Sequence, residues 1–280
     1  MRIVTGVREM QRVCRELRLG GAAVGFVPTM GALHAGHLSL VRRARAECDV
    51  VAVSIFVNPT QFAPGEDLAK YPRTFGEDCA LLEAEGVEVL FAPEAGEMYP
   101  AGAATTVTVS EIGDRLDGAS RPGHFTGVAT VVAKLLHVVG PARAYFGQKD
   151  AAQLAVLRRM VRDLNFDVEL MACEIVRDAD GLALSSRNKY LGEVERQRAL
   201  VLRRSLLTME QMIAGGERAS AALVRAGLQV LNMEDGVRVD YLSVVDEETL
   251  KPVVTADAGT LVAVAAWVGE TRLIDNFLVR

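Results

Sequence analysis

Residues 23–47 read AVGFVPTMGALHAGHLSLVRRARAE: a short apolar run, a turn bearing two glycines, then an amphipathic run. The first five residues suit a strand, and residues 38–47 carry a helical period. α/β proteins place phosphate chemistry at this order of strand, tight turn and helix. The helix start offers unpaired backbone N–H groups and the positive end of the dipole. Gly31 and Gly36 carry no Cβ, so the backbone can come close to a ligand. His34 and His37 stand three residues apart at the helix start, where both rings can face one way. Two imidazoles there make a clamp for a polyphosphate. The plainer alternatives are a surface pair or a metal site, and the second lacks a nearby third ligand.

Outward from this stretch the alternation continues. Residues 1–4 suit an edge strand, with Thr5 capping a helix that runs to Leu19. Residues 49–57 form a β-branched run suited to a strand buried on both faces, and Asn58-Pro59 ends it. Residues 58–74 form a long polar loop rich in Pro and Gly, a type that usually carries function. A helix at 75–85, strands at 87–91 and 105–109, and a helix at 128–139 follow. Next come a strand at 142–146, a turn at 147–150, a helix at 151–164 and a strand at 168–176. The pattern predicts an α/β fold with a doubly wound, Rossmann-like parallel sheet, whose ligands bind beyond the carboxyl ends of the strands.

After Arg177 the texture changes to the polar, hinge-like RDADGLALSSRNKYL. Helices at 193–214 and 219–233 and alternating strands at 239–245, 261–267 and 273–278 then follow. Residues 1–176 are accordingly read as a ligand-binding domain, and 177–280 as a smaller α+β C-terminal domain placed to act as a lid.

Composition narrows the function classes. Half of the 280 residues are hydrophobic, enough for a sizeable core. A net charge of −5 without a basic run argues against nucleic acid as a partner. The N-terminus lacks a signal-like apolar stretch and the apolar runs are of strand length, so a cytoplasmic protein without a membrane partner is expected. Cys14, Cys48, Cys79 and Cys173 form no CxxC pair and read as buried thiols. Neither a GxxxxGK[ST] P-loop nor a GxSxG elbow is present, so nucleotide chemistry must use the histidines.

Further motifs fall in order along the chain. HAGH at 34–37 has the HxGH form of the adenylate-forming nucleotidyl-transfer superfamily, and LALSSRN at 182–188 is similar to that superfamily's KMSKS loop. PTMGALHAGH, FVNPTQF at 56–62, EDLAKYPRT at 66–74, RPGHF at 121–125 and GQKDAAQLA at 147–155 continue the pattern, as do DYLSVVD at 240–246 and RLIDN at 272–276. Together they resemble the pantoate–β-alanine ligase family over most of the chain.

The resemblance implies ATP-dependent condensation of pantoate with β-alanine through a pantoyl adenylate, with Mg2+ on the triphosphate and a homodimeric assembly. It assigns His34, His37, Lys149, Ser185, Ser186 and Arg187 to the triphosphate. Met30, Gly36, Gly147, Asp150, Val176 and Leu184 complete the ATP site. Pro28, Thr29, Met30, Phe56, Asn58, Gln61 and Gln153 fall to pantoate, and no metal ligands are assigned. The chain departs from the family pattern at Thr60, Gln148 and Ala152, where Met, Glu and Gln are commoner. A nucleotidyltransferase acting on a phosphorylated acceptor and a non-catalytic nucleotide-binding homologue are the competing readings.

Overall fold

The computed structural model describes residues 1–63 and 65–280. Pro64, in the long loop expected to be functional, lies outside the described residues.

An edge strand, β1 (Arg2–Val4), leads to α1 (Val7–Leu19), then β2 (Val24–Thr29), α2 (Ala35–Glu47) and β3 (Val50–Ile55). Next come α3 (Phe75–Ala84), β4 (Val89–Phe91) and two short helices, α4 (Ala95–Met98) and α5 (Asp117–Ser120). The long α6 (His124–Val139) precedes β5 (Arg143–Gly147), α7 (Ala151–Asp163) and β6 (Glu169–Cys173). The six strands form one parallel sheet in the order β1-β4-β3-β2-β5-β6. The continuous apolar runs are explained by this placement. Val24, Phe26 and Val27 of β2 and Val51, Ala52 and Val53 of β3 are essentially inaccessible, because helices cover both faces.

The C-terminal part contributes α8 (Glu193–Ala214), α9 (Ser220–Asn232), β7 (Val237–Asp246), β8 (Thr260–Val268) and β9 (Thr271–Leu278). Its strands form a separate antiparallel sheet in the order β7-β8-β9. The fold is therefore the expected parallel α/β sheet followed by a smaller α+β part. The two parts share buried surface: Val245, Leu250, Leu261 and Ala263 lie in the same apolar cluster as α6 and α7.

Three local expectations need correction. Gly6, not Thr5, is the N-cap of α1, and the Val7 N–H donates to Glu97 Oε1 at 2.7 Å instead of to a capping hydroxyl. Residues 105–109 form no strand, since period-two alternation supplies no neighbouring edge; the Val107 N–H donates to Thr130 Oγ1 at 2.9 Å. The sixth strand ends at Cys173, short of Val176. The chain leaves the sheet there to enter a hairpin held by Asp178 N–H to Leu182 O at 2.9 Å and Leu184 N–H to Val176 O at 3.0 Å.

Candidate active site

β2 pairs with β3 on one side and β5 on the other. The chain runs from β2 through β3 to β4 in one direction, then crosses to β5 and β6 in the other, so the switch point lies between β2 and β5. Ligands of such sheets bind at the crevice beyond the strand ends there. The turn after β2 carries His34 and His37, and the turn after β5 carries Lys149. Neighbouring β3 delivers the 3-10 turn Pro59–Gln61 to the same end.

The two imidazoles lie with ring centroids 4.0 Å apart. His34 is the N-cap of α2, its Nδ1 accepting the Gly36 N–H at 3.2 Å; the His34 N–H in turn donates to His37 Nδ1 at 3.3 Å. With both Nδ1 lone pairs engaged, each neutral ring holds its proton on Nε2. Burial, then the charge of Lys149, lowers the His34 pKa to about 4. Burial, then His34 and Lys149, lowers that of His37 to about 3. The pair is thus a set of two neutral Nε2–H donors at neutral pH, not a pair of cations. Gly36 is required by the ring and not only by a ligand. A Cβ there would stand 2.9 Å from His34 Nδ1 and Cε1.

Asp78, which sequence reasoning missed, fixes this turn. Its carboxylate is 2 % exposed and accepts the Ala32 N–H at 3.0 Å, the Leu33 N–H at 2.8 Å and the Thr74 hydroxyl at 3.2 Å. Ala32 sits at φ 51°, a left-handed conformation that a non-glycine residue holds only with such support. The available signal was an acid in the first turn of α3, which reads equally as dipole compensation.

Lys149 and Asp150 lie in the 3-10 turn Gln148–Asp150, with Lys149 Nζ 3.9 Å from Asp150 Oδ1. The side of Gly147 that a Cβ would occupy is open, its nearest atom being the Lys149 amide nitrogen at 4.0 Å. Asn276 of β9 donates from Nδ2 to the carbonyls of Gln148 at 3.0 Å and Lys149 at 2.9 Å. Gln148 Nε2 donates back to Asn276 Oδ1 at 3.3 Å, so this departure from the family pattern has a structural partner.

The segment after the hairpin is better held than its polar composition implies. Ser185 caps the 3-10 turn Ser186–Tyr190 by accepting the Arg187 N–H at 3.3 Å. Asn188 Nδ2 donates to Ala183 O at 3.1 Å, and the Tyr190 hydroxyl donates to Lys70 O at 3.1 Å. Ser185 and Arg187 face the cleft. Ser186 is buried, with its hydroxyl 3.5 Å from that of Tyr71 in the 58–74 loop. Leu184 lies against the start of α2: a Cβ on Gly36 would be 3.8 Å from Leu184 Cβ. The Val176 carbonyl is taken by the hairpin.

Among the residues expected at pantoate, two belong to the scaffold. Asn58 is fully buried; its Nδ2 donates to Gln61 Oε1 at 3.0 Å and Gly127 O at 3.2 Å, and its Oδ1 accepts the Tyr99 hydroxyl at 2.8 Å. Thr29 donates to Ser54 O at 2.7 Å and accepts the Gly31 N–H at 3.2 Å. Both shape the site from behind. Gln61 Nε2 has the Met30 thioether at 3.1 Å, a weak acceptor that a ligand oxygen readily replaces. Phe56 is buried beside Tyr99, Pro28 is half-buried, and Gln153 faces the cleft from the first turn of α7. Gly127 lets α6 press on this turn, since a Cβ would meet Thr60 O at 2.2 Å.

A second histidine network was not anticipated. His124 Nδ1–H donates to Gln61 O at 2.8 Å, and its Nε2 accepts from Arg121 Nη1 at 3.1 Å. Arg121 is paired with Glu66 at 2.6 and 2.7 Å. Burial, then Arg121, lowers the His124 pKa to about 4. Burial raises the Glu66 carboxyl, but the ion pair outweighs it and holds the group below its usual range.

A cleft of about 1140 Å3 has Lys149, Asp150, Gln153, Ser185, Arg187 and His124 in its wall, and the charge of Lys149 acts on both imidazoles of the HAGH turn. Its far wall holds Arg272, paired with Asp117 and Asp240 at 2.7 Å each. Among the described residues no group of three His, Cys, Asp or Glu side chains is arranged to hold a metal ion.

The pantoate-beta-alanine ligase family model matches residues 2–278. The pantothenate synthetase of Acidobacterium capsulatum is 61% identical over 290 residues, covering 100% of this chain and 97% of that one. The pantothenate synthetase of Thermotoga neapolitana is 56% identical over 279 residues, covering 100% of both chains. The crystal structure of the pantothenate synthetase from Thermus thermophilus superposes with a TM-score of 0.94 at 51% identity, over 99% of each chain. A pantoate-β-alanine ligase from Francisella tularensis, complexed with β-γ ATP and β-alanine, gives a TM-score of 0.80 at 33% identity, over 99% of this chain and 97% of that one. The chain belongs to the pantoate–β-alanine ligase family.

Proposed function

We propose that the protein condenses pantoate with β-alanine at the expense of ATP, giving pantothenate, AMP and pyrophosphate through pantoyl adenylate. One observation carries the reading beyond family membership. Lys149, Gln153, Ser185 and Arg187 line one cleft, and the charge of Lys149 reaches the paired imidazoles of His34 and His37, which follow the neighbouring strand β2 at the switch point of the sheet.

The first step joins a pantoate carboxylate oxygen to the α-phosphorus and breaks the bond to the β-phosphate oxygen, releasing pyrophosphate. The second joins the β-alanine amine to the acyl carbon, releases AMP with the bridging oxygen, and loses a proton from nitrogen. Both nucleophiles come from the substrates, so the protein's task is alignment and stabilisation of charge on phosphate. His34 and His37 donate Nε2–H groups to phosphate oxygens, and Lys149 and Arg187 supply positive charge. Ser185 and Ser186 add hydroxyls. Met30, Gly36, Gly147, Asp150, Val176 and Leu184 border the adenosine. Gln61 and Gln153 bind the hydroxyl and carboxylate of pantoate against Pro28, Met30 and Phe56, with Thr29 and Asn58 behind them. Alignment of this kind is worth about 7–11 kcal/mol of barrier.

The same proposal covers Mg2+ travelling with the triphosphate, residues 1–176 as the binding domain with 177–280 as its lid, a homodimer, and a cytoplasmic location. Among the described residues no helix is long and apolar enough to cross a membrane. Light scattering tests the dimer, and titration of ATP with and without Mg2+ tests the metal. The condensation itself is tested with pantoate labelled with 18O in its carboxylate. One label should appear in the phosphate of AMP; unlabelled AMP beside labelled pantothenate would exclude the acyl adenylate.

A further inference from the structure

Adjacent residues of β9 reach two different segments of the cleft. Asn276 is 3 % exposed and uses its whole amide on the Gln148–Asp150 turn: Nδ2 takes the Gln148 and Lys149 carbonyls, and Oδ1 takes Gln148 Nε2. Asp275, also 3 % exposed, accepts both arms of Arg177 at 2.7 and 2.8 Å, and its Oδ1 accepts the Asn276 N–H at 2.8 Å. Arg177 also donates to Gly181 O at 3.1 Å, closing the hairpin that ends in Ser185 and Arg187. A strand edge packed here for stability alone needs no amide aimed at two carbonyls and no fork-to-fork ion pair beside it. Buried polar groups of this kind define one geometry, because any displacement strands several of them.

We infer that Asp275 and Asn276 are positioning residues. They form a rigid bar on the C-terminal sheet that sets the separation of Lys149 from the Ser185–Arg187 turn for the adenylation step. The inference rests on the assignment of Lys149 and Arg187 to the triphosphate. Asn276 acts through the backbone carbonyls of Gln148 and Lys149, and Asp275 acts through Arg177. The bar also gives the C-terminal sheet a catalytic purpose: the spacing of two anion-binding segments is fixed by one dipeptide distant from both in sequence.

Asn276→Asp is nearly isosteric but sets a carboxylate oxygen against two carbonyl oxygens. It should lower kcat for pyrophosphate exchange about tenfold with KM for ATP little changed, the mark of an interaction expressed in the transition state. Coupling of preformed pantoyl adenylate to β-alanine should stay within about threefold, since no pyrophosphate leaves in that step. In a Lys149→Gln background the same substitution should cost less than about twofold, because the group it positions is gone. Equal cost in both backgrounds, or equal loss in both half-reactions, would overturn the inference and leave the ligase reading intact. Full exchange by Lys149→Gln alone would overturn the assignment of Lys149 to the triphosphate, and the inference with it, while the exchange itself would uphold the ligase reading. Gln148→Ala loosens the same clamp without altering the sheet and keeps the question open to test if Asn276→Asp does not fold. The same split is expected to a smaller degree, and an unchanged adenylation rate would count against the bar.

Discussion

Gly36→Ala separates the folding role of the HAGH turn from its chemical role. Gly36 is the second residue of α2, where alanine favours the helix by about 0.4–1 kcal/mol. The new Cβ would lie 2.9 Å from His34 Nδ1 and Cε1, closer than real contacts allow, while Leu184 at 3.8 Å is unaffected. The ring must therefore swing away and lose the Gly36 N–H···Nδ1 bond, worth about 0.5–1.5 kcal/mol. Those two effects nearly cancel, so stability should change by less than about 1 kcal/mol in urea unfolding. Activity has no such compensation. A displacement of about 1 Å in a group aligning the reaction can cost about a hundredfold. Adenylation measured by pyrophosphate exchange should fall by that order while the urea midpoint barely moves. Exchange within about threefold of the parent would refute the claim that the imidazole is held in place by its cap.

Asp78→Asn turns an amide against one of two buried N–H groups and should cost about 1–3 kcal/mol of stability together with a large loss of exchange; a full-rate, equally stable variant would contradict the assigned support. Gln61→Ala or Gln153→Ala should weaken pantoate more than ATP in titration, by roughly 1–3 kcal/mol, and equal losses for both ligands would contradict the division of the site. Ala152→Gln forces a long side chain into a position 3 % exposed and should cost about 1–3 kcal/mol of stability, and an unchanged urea midpoint would contradict that packing. The histidines give a pH test. His34 and His124 fall to about 4 and His37 to about 3 from 6.5. The unfolded chain therefore takes up protons first as pH drops. The contribution of these groups is complete above 6.5 and declines on the way to about 4 and then 3. Imidazole resonances of His34 and His37 should stay fixed between about pH 7 and 5.5, and midpoints near 6.5 would contradict the neutral-donor assignment.

The parallel sheet was legible because short apolar runs such as residues 23–27 and 142–146 alternate with helical periods, and buried parallel strands require that composition. HAGH, the Asn58–Gln61 loop and the Gly147–Asp150 turn could be placed at one mouth because each follows a strand, whereas SSRN joined them only through the family resemblance. Direction was not legible. Motif spacing brings Thr29 and Asn58 near the site, but hydrogen bonding turns both inward. The supporting residues escaped for a different reason. Asp78 reads as an ordinary first-turn acid, Asn276 as part of a strand, and Arg121 with His124 as loop; each acquires its role from a segment distant in sequence. The charge state of the histidines also belongs to the folded geometry, since backbone N–H groups select the tautomer.

The most direct test of the account is isotope exchange between labelled pyrophosphate and ATP in the presence of Mg2+. A site that activates a carboxylate and holds pyrophosphate between His34, His37, Lys149 and Arg187 should catalyse exchange when pantoate is present and β-alanine is absent. Exchange at full rate without pantoate, or none with it, would contradict the account.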